Sequence, residues 1–505
     1  MKIPQCLALT GLLITAGCDG SSPASPDSGA SFDAGPLPDA RPDATPVDPD
    51  AAPDAARDLL IVDVDGAGEV QIEVAGAVTT CSAAACSVDV TGASSIVLTA
   101  KAGAEATFQG FRGCSMGDDD RCHLAGDERH VVAAFAHLAV PVARVFASDR
   151  RDFPLALATD AAGNAVFAWT TIVTATTEGS YHLVKVAPDG QLLWQRSWAD
   201  SDAIAAHGGI AVAPDGQVYV VGRARTTTGG GPVHVETQVF GLDGATGADE
   251  RAIPVLSGAN LVAVATNGDL LVCGQGTSTN SHEIARYAFD TGGERWSGGA
   301  GPGLCDSFAA LPDGNAAVLS YQPTGIVPSP VETGAFTYRG SDGVELWHHQ
   351  LGFDHHLTEV YGVTGDGSHV FAAGVTASVN YVLSLSAGGG ELWRFAPGDF
   401  VFAQSPVIAG DAVAVALNLW NGGSFGSDVL GGHDDGGLLL LDRATGEPEL
   451  ARRLGGAGAQ SARLVANGPD GSFWIAGQLS QATTFGATTL TPVGGGDAFL
   501  VRVTP

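Results

Sequence analysis

A chain of 505 residues exceeds what one ordinary hydrophobic core covers, so two or more domains are expected. Apolar residues at 45% against 16% charged exclude a wholly disordered protein, and 70 glycines among short Val- and Thr-rich runs favour β-structure with many turns. The formal charge of −31 argues against nucleic acid, which needs clustered Lys and Arg, and against direct attraction to anionic lipid.

The chain opens with Met1-Lys2, and Leu7 to Ala16 forms an apolar run too short to span a bilayer. It ends in Thr15-Ala16-Gly17-Cys18 and switches at once to the polar Asp19-Gly20. This stretch resembles a bacterial lipobox, with Thr15 where Leu is more common; an ordinary secretory signal is the alternative. The resemblance implies a signal peptide over residues 1–17, an acyl chain such as palmitate on Cys18, and anchoring to a bacterial membrane. The outer membrane, cell surface or periplasm is the expected location. Residues 18–57 alternate Pro, Asp and Ala with almost nothing to bury, which predicts a solvated, disordered linker.

Residues 58–138 alternate as strands do, from Leu60-Ile61-Val62-Asp63-Val64 to Val131–Phe135. G-x-G-x-V at Gly66, the pair Cys81 and Cys86, Val97-Leu98-Thr99-Ala100, Phe108 to Cys114 and then Cys122 follow in order. That series resembles the divergent internalin-type B-repeat, with Phe111 where the family has Trp. Such modules are mostly spacers or stalks, so this domain is expected to position rather than react. In an oxidising compartment Cys81–Cys86 and Cys114–Cys122 are the expected disulfides, each closing a short loop. A metal site from Cys114, Cys122 and His123 beside Asp118 to Asp120 is the alternative.

From residue 140 one unit recurs: an apolar strand, a D-G or N-G turn, a second strand, then two more. Gly163, Gly216, Gly268, Gly314, Gly367, Gly410 and Gly471 mark the turns at intervals of about 50 residues. Four-stranded meanders that cannot cover both faces must stack around an axis. The expected fold class is therefore all-β: a small disulfide-stapled β-domain followed by a seven-bladed β-propeller over 140–505. The last copy lacks its outer strand, so residues 142–146 are expected to pair with 498–503 and close the ring. The outer turns Asp189 to Trp194, Asp342 to Trp347 and Gly389 to Trp393 resemble quinoprotein-like propeller repeats. The stretches 425–442 and 485–503 resemble the bacterial seven-bladed propeller repeat.

The loops from each outer strand to the next inner strand gather polar groups: Asp149, Asp152, Asp200, Asp202, His207, Asp306 and Asp399. Asp354, His355 and His356, near His348-His349, add imidazole and carboxylate suited to a metal of unknown identity. In a propeller these loops share one face, so a cation or basic ligand there is the leading site expectation, against solvated loop residues. Asp434-Asp435 offers oxygen ligands for calcium, against an ordinary turn. G-x-S-x-G at Gly113 to Gly117 and at Gly422 to Gly426 lacks the strand-to-helix elbow that a hydrolase needs. Cys273 and Cys305 fall at one level of neighbouring blades, which predicts a disulfide, with buried thiols as the alternative.

No catalytic residue is assigned, so the leading reading is a non-enzymatic binding or scaffold lipoprotein. A protein or glycan is its expected ligand, with no cofactor, though calcium is possible. The rivals are a quinoprotein-like oxidoreductase using pyrroloquinoline quinone with calcium, and an outer-membrane assembly scaffold by likeness to other propeller lipoproteins.

Overall fold

The computed structural model describes residues 58–505 except 83, 104–105, 115, 119, 125–127, 175–176, 200–208, 227–233, 277–280, 322–332, 353–358, 377–378, 398–400, 420–422, 426–427, 431–434 and 457. Cys18 and the 18–57 linker lie outside the described residues. The described residues are strands and turns, with no helix among them.

Alternation builds the small domain. In Leu59–Asp65, Leu60, Val62 and Val64 turn inward while Leu59 and Ile61 face solvent. This strand pairs antiparallel with Ala85–Asp89 and parallel with His130–His137, and Ala106–Arg112 completes a four-stranded sheet. A five-stranded sheet runs Ala77–Cys81, Gly68–Val74, Ile96–Ala102, Arg121–Leu124, Met116–Asp118. The two sheets share one core that includes Leu60, Val62, Val70, Ile72, Leu98, Val131 and Phe135. Each such side chain contributes about 1.5–3 kcal/mol on burial. Disulfides Cys81–Cys86 and Cys114–Cys122 join chain from one sheet to chain from the other. Both bridges therefore staple the sandwich across its core.

Beyond residue 138 lie seven four-stranded antiparallel sheets. The first runs Arg151–Thr159, Ala165–Thr174, Thr177–Val186 and Leu192–Ala199, and the next four repeat that meander. The sixth inserts the hairpin Gly423–Phe425 with Asp428–Leu430 between its second and third strands. In the last, Gln460–Asn467, Phe473–Leu479 and Asp497–Thr504 take Ala139–Phe146 as their outer strand, with Val142 opposite Arg502 and Phe146 opposite Ala498. Each inner strand neighbours the next, and Gln460–Asn467 lies beside Arg151–Thr159. The circuit is closed.

The inner turns need glycine where the chain reverses: Gly216 has φ +90° and donates its N–H to Ala213 O. Between sheets a tryptophan does the joining. Trp194 donates its indole N–H to Gly244 O at 3.1 Å, and its ring lies on Gly247, where a Cβ would fall 2.8 Å from the indole. Trp296 with Gly343, Trp347 with Gly389 and Trp393 with Gly446 repeat the arrangement. The glycine of the outer turn thus seats the tryptophan of the preceding sheet. Arginine replaces it twice: Arg251 donates to Phe289 O, and Arg144 to Gly190 O.

Candidate functional site

Seven inner strands surround an axial cavity of about 380 Å³. Its wall includes Leu157, Ile210, Val262, Phe308, Val363, Val407 and Val465, one from each inner strand. Six of these strands slip register near their middle, at Pro154/Ala156, Ala259/Leu261, Cys305/Ser307, Val360/Gly362, Gln404/Val407 and Ala462/Leu464. An extra residue there bends the strand and re-aims side chains. One such residue is Asp306, which reaches the cavity and is the one charged side chain among its described lining residues. Asn260 donates to Cys305 O at 2.9 Å, and Val363 N–H to Ser307 Oγ at 2.9 Å, so neighbouring inner strands are tied at this level.

Of the residues expected on the ligand face, Asp149, Asp152 and Asp306 are among those described. Asp149 lies exposed in the loop before Arg151–Thr159, 3.8 Å from Arg150. Asp152, three residues on, is 1% exposed and sits at the seam of the first and last sheets. Its N–H donates to Gly496 O, and Gln478 Nε2 donates to Asp152 O. Burial pushes its carboxyl pKa up, opposed by a 2.7 Å hydrogen bond from Thr171 Oγ1. Asp152 is therefore not part of a channel-mouth ligand set, because strand alternation turns it between sheets. Asp200, Asp202, His207, Asp354, His355, His356 and Asp399 lie outside the described residues. His348 and His349 stand on the outer strand Glu345–Gly352, bonded to Glu345 and Gly389 O, on the rim rather than the axis.

Asp434 is also outside the described residues. Its neighbour Asp435 begins the strand Asp435–Asp442, is wholly buried and is engaged by Arg453 at 2.7 Å. Ser115, Gly422 and Gly426 of the two G-x-S-x-G stretches are outside the described residues as well. Cys273 and Cys305 form a disulfide between the second strand of the third sheet and the inner strand of the fourth, Cα–Cα 6.2 Å. Among the described residues no three His, Cys, Asp or Glu side chains gather as a metal set.

Two arrangements escaped sequence reasoning. The small domain does more than extend a stalk: bulged Gln109 accepts the backbone N–H of Arg453 at 2.9 Å, docking the domain on the sixth sheet. Beside this contact Lys101, Phe108, Asp120, Arg453 and Thr484 line a cleft of about 390 Å³. The second is a polar line through all four strands of the first sheet. Asp152 Oδ1 meets Thr171 Oγ1 at 2.7 Å, Thr171 Oγ1 meets His182 Nε2 at 3.0 Å, and His182 Nδ1 meets Ser197 Oγ at 2.8 Å. His182 stacks on Trp169, 4.9 Å between centroids, and burial lowers its pKa. Only the strand register, with Asp152 opposite Thr171 and His182 opposite Ser197, could have shown it.

The family described as outer membrane protein assembly factor BamB matches residues 180–449. No curated protein matches the chain. Among solved structures, BamB from Moraxella catarrhalis is similar at 13% identity, covering 73% of this chain and 98% of that one, TM-score 0.37. The hydrazine synthase of Kuenenia stuttgartiensis is similar at 10% identity, covering 65% and 94%, TM-score 0.44. The Dos1 propeller is similar at 9% identity, covering 72% and 95%, TM-score 0.45.

Proposed function

Because the chain belongs to the family described as outer membrane protein assembly factor BamB, we propose that it is an exported scaffold whose seven-bladed propeller binds protein partners during outer-membrane assembly. A lipid on Cys18 and the 18–57 linker would hold it at the membrane, with the B-repeat-like domain docked on the propeller. The observation that carries the reading is apolar surface left in solvent on a rigid ring. Val344, just before the outer strand of the fourth sheet, and Leu346 on that strand are 49% and 42% exposed, and Leu392 on the outer strand of the fifth is 53% exposed. Aliphatic side chains held open on neighbouring outer strands suit contact with another protein. The acidic net charge keeps the scaffold soluble and off nucleic acid.

The quinoprotein reading finds less support. Pyrroloquinoline quinone is a tricarboxylate, and the described lining of the axial cavity brings one carboxylate and no basic side chain. The described lining residues do not fit that group. The outer-turn tryptophans that suggested it are occupied in seating one sheet on the next.

The test is in the native bacterium, with V344S, L346S and L392S combined in the full chain. Outer-membrane β-barrel protein levels and crosslinks to the barrel-assembly machinery are expected to fall together, while circular dichroism stays unchanged. Normal barrel levels on complete removal of the chain would overturn the assembly role.

A further inference from the structure

We propose that Ser197 is an activated nucleophile, with His182 as its general base, that attacks carboxylic esters presented from solvent. This is an activity distinct from partner binding. Donors and acceptors along the line from Asp152 to Ser197 fix where each proton sits. Burial raises the Asp152 pKa, while hydrogen bonds from Thr171 and Ser148 favour its ionised form; in that form it can only accept, so the single hydroxyl hydrogen of Thr171 points to it. The Thr171 oxygen is then left to accept, and the hydrogen between it and the imidazole belongs to His182 Nε2. A neutral imidazole protonated at Nε2 turns its Nδ1 lone pair to Ser197 Oγ, 2.8 Å away. Every link follows from the buried carboxylate. The result is a serine whose proton has a receiver.

Position supports the same reading. His182 is half-buried and held flat against Trp169 at an interplanar angle of 16°, which fixes the direction of both ring nitrogens. Ser197 lies on the outermost strand and is exposed, so an ester carbonyl can reach its oxygen without entering the sheet. The surface position selects an ester carried on a larger molecule or a membrane rather than one enclosed by the protein.

The reaction balances. Ser197 Oγ forms a bond to the carbonyl carbon as its proton passes to His182 Nδ1, and the C–O bond to the alcohol breaks as that proton moves to the departing oxygen. Water, deprotonated by the same Nδ1, then cleaves the acyl-serine and restores the hydroxyl. Thr171 and Asp152 act through His182 and are positioning residues.

The test treats the full chain with a fluorophosphonate probe and maps the adduct by mass spectrometry, alongside hydrolysis of a neutral naphthyl ester. The label is expected on Ser197, and neither label nor turnover in Ser197→Ala, which as an exposed change leaves the fold intact. His182→Gln should slow labelling by roughly 100-fold, the lower end of what a positioned general base supplies. Thr171→Val keeps the side-chain shape but breaks the relay, so it should slow labelling, and Thr171→Ser should restore it. A merely structural Thr171 would not separate these two variants by labelling rate. Adducts scattered over other serines, equal labelling in Ser197→Ala, or an unchanged rate in His182→Gln would overturn the proposal.

Discussion

Replacing Lys185 with Met tests how the first sheet is fastened to the second. Lys185 Nζ lies 2.8 Å from Asp160 and donates to Gly244 O at 2.7 Å, with both charged side chains under 9% exposed. Gly244 O also accepts the Trp194 indole, so the pair and the tryptophan converge on one carbonyl of the neighbouring sheet. Breaking a buried ion pair costs about 3–5 kcal/mol. Asp160 keeps hydrogen bonds from Ala162 N, Asn164 N and Asn164 Nδ2, which places Lys185→Met at the lower end, about 3 kcal/mol. Burial would raise the Asp160 pKa, but the hydrogen bonds from Lys185 and Asn164 outweigh it and hold the carboxyl below its usual range. A carboxyl with a depressed folded pKa contributes stability above the unfolded value of about 4, and that contribution is lost as pH falls through the folded pKa. Without Lys185 the carboxyl binds its proton more readily. The difference between wild type and Lys185→Met in urea unfolding should therefore be widest near neutrality and shrink below about pH 4. A difference that stays constant from pH 7 to pH 3, or never exceeds about 1 kcal/mol, would refute the assignment of this pair as a buried fastening.

Trp194 is 7% exposed, so Trp194→Ala should cost about 3–5 kcal/mol in thermal unfolding through lost packing and the lost indole hydrogen bond. Gly247→Ala, at φ +69° and against the same ring, should cost about 1–3 kcal/mol, and the double variant less than the sum because the two sites touch. Cys273→Ser with Cys305→Ser opens a bridge spanning 32 residues and should lower stability by about 3–4 kcal/mol on loop entropy. Intact mass without reductant should show the variant lacking one bridge, and an unchanged urea midpoint would argue that the bridge is not formed in solution.

What the sequence showed and what it hid divide along one physical line. Turn glycines report backbone conformation locally, so Gly163, Gly216 and their counterparts mark strand boundaries without any long-range knowledge. Cysteines inside a repeating frame are nearly as legible, since the repeat places Cys273 and Cys305 at one level before any coordinate does. Side-chain direction is different, because it depends on a register that changes by one residue at every bulge. Asp152 and Asp306 occupy similar places in consecutive order of loop and inner strand. One is turned into the seam between sheets, while the other sits at a bulge and meets the cavity. Gln109 and Arg453 are 344 residues apart, and nothing near either one announces the other. The same holds for Asp152, Thr171, His182 and Ser197, whose spacing has no motif and becomes a line only when four strands lie in register. Repeat architecture explains the asymmetry: the frame is specified many times over by recurring turns and tryptophans. Any chemistry placed on it is written once, in residues whose meaning is set by neighbours across the sheet.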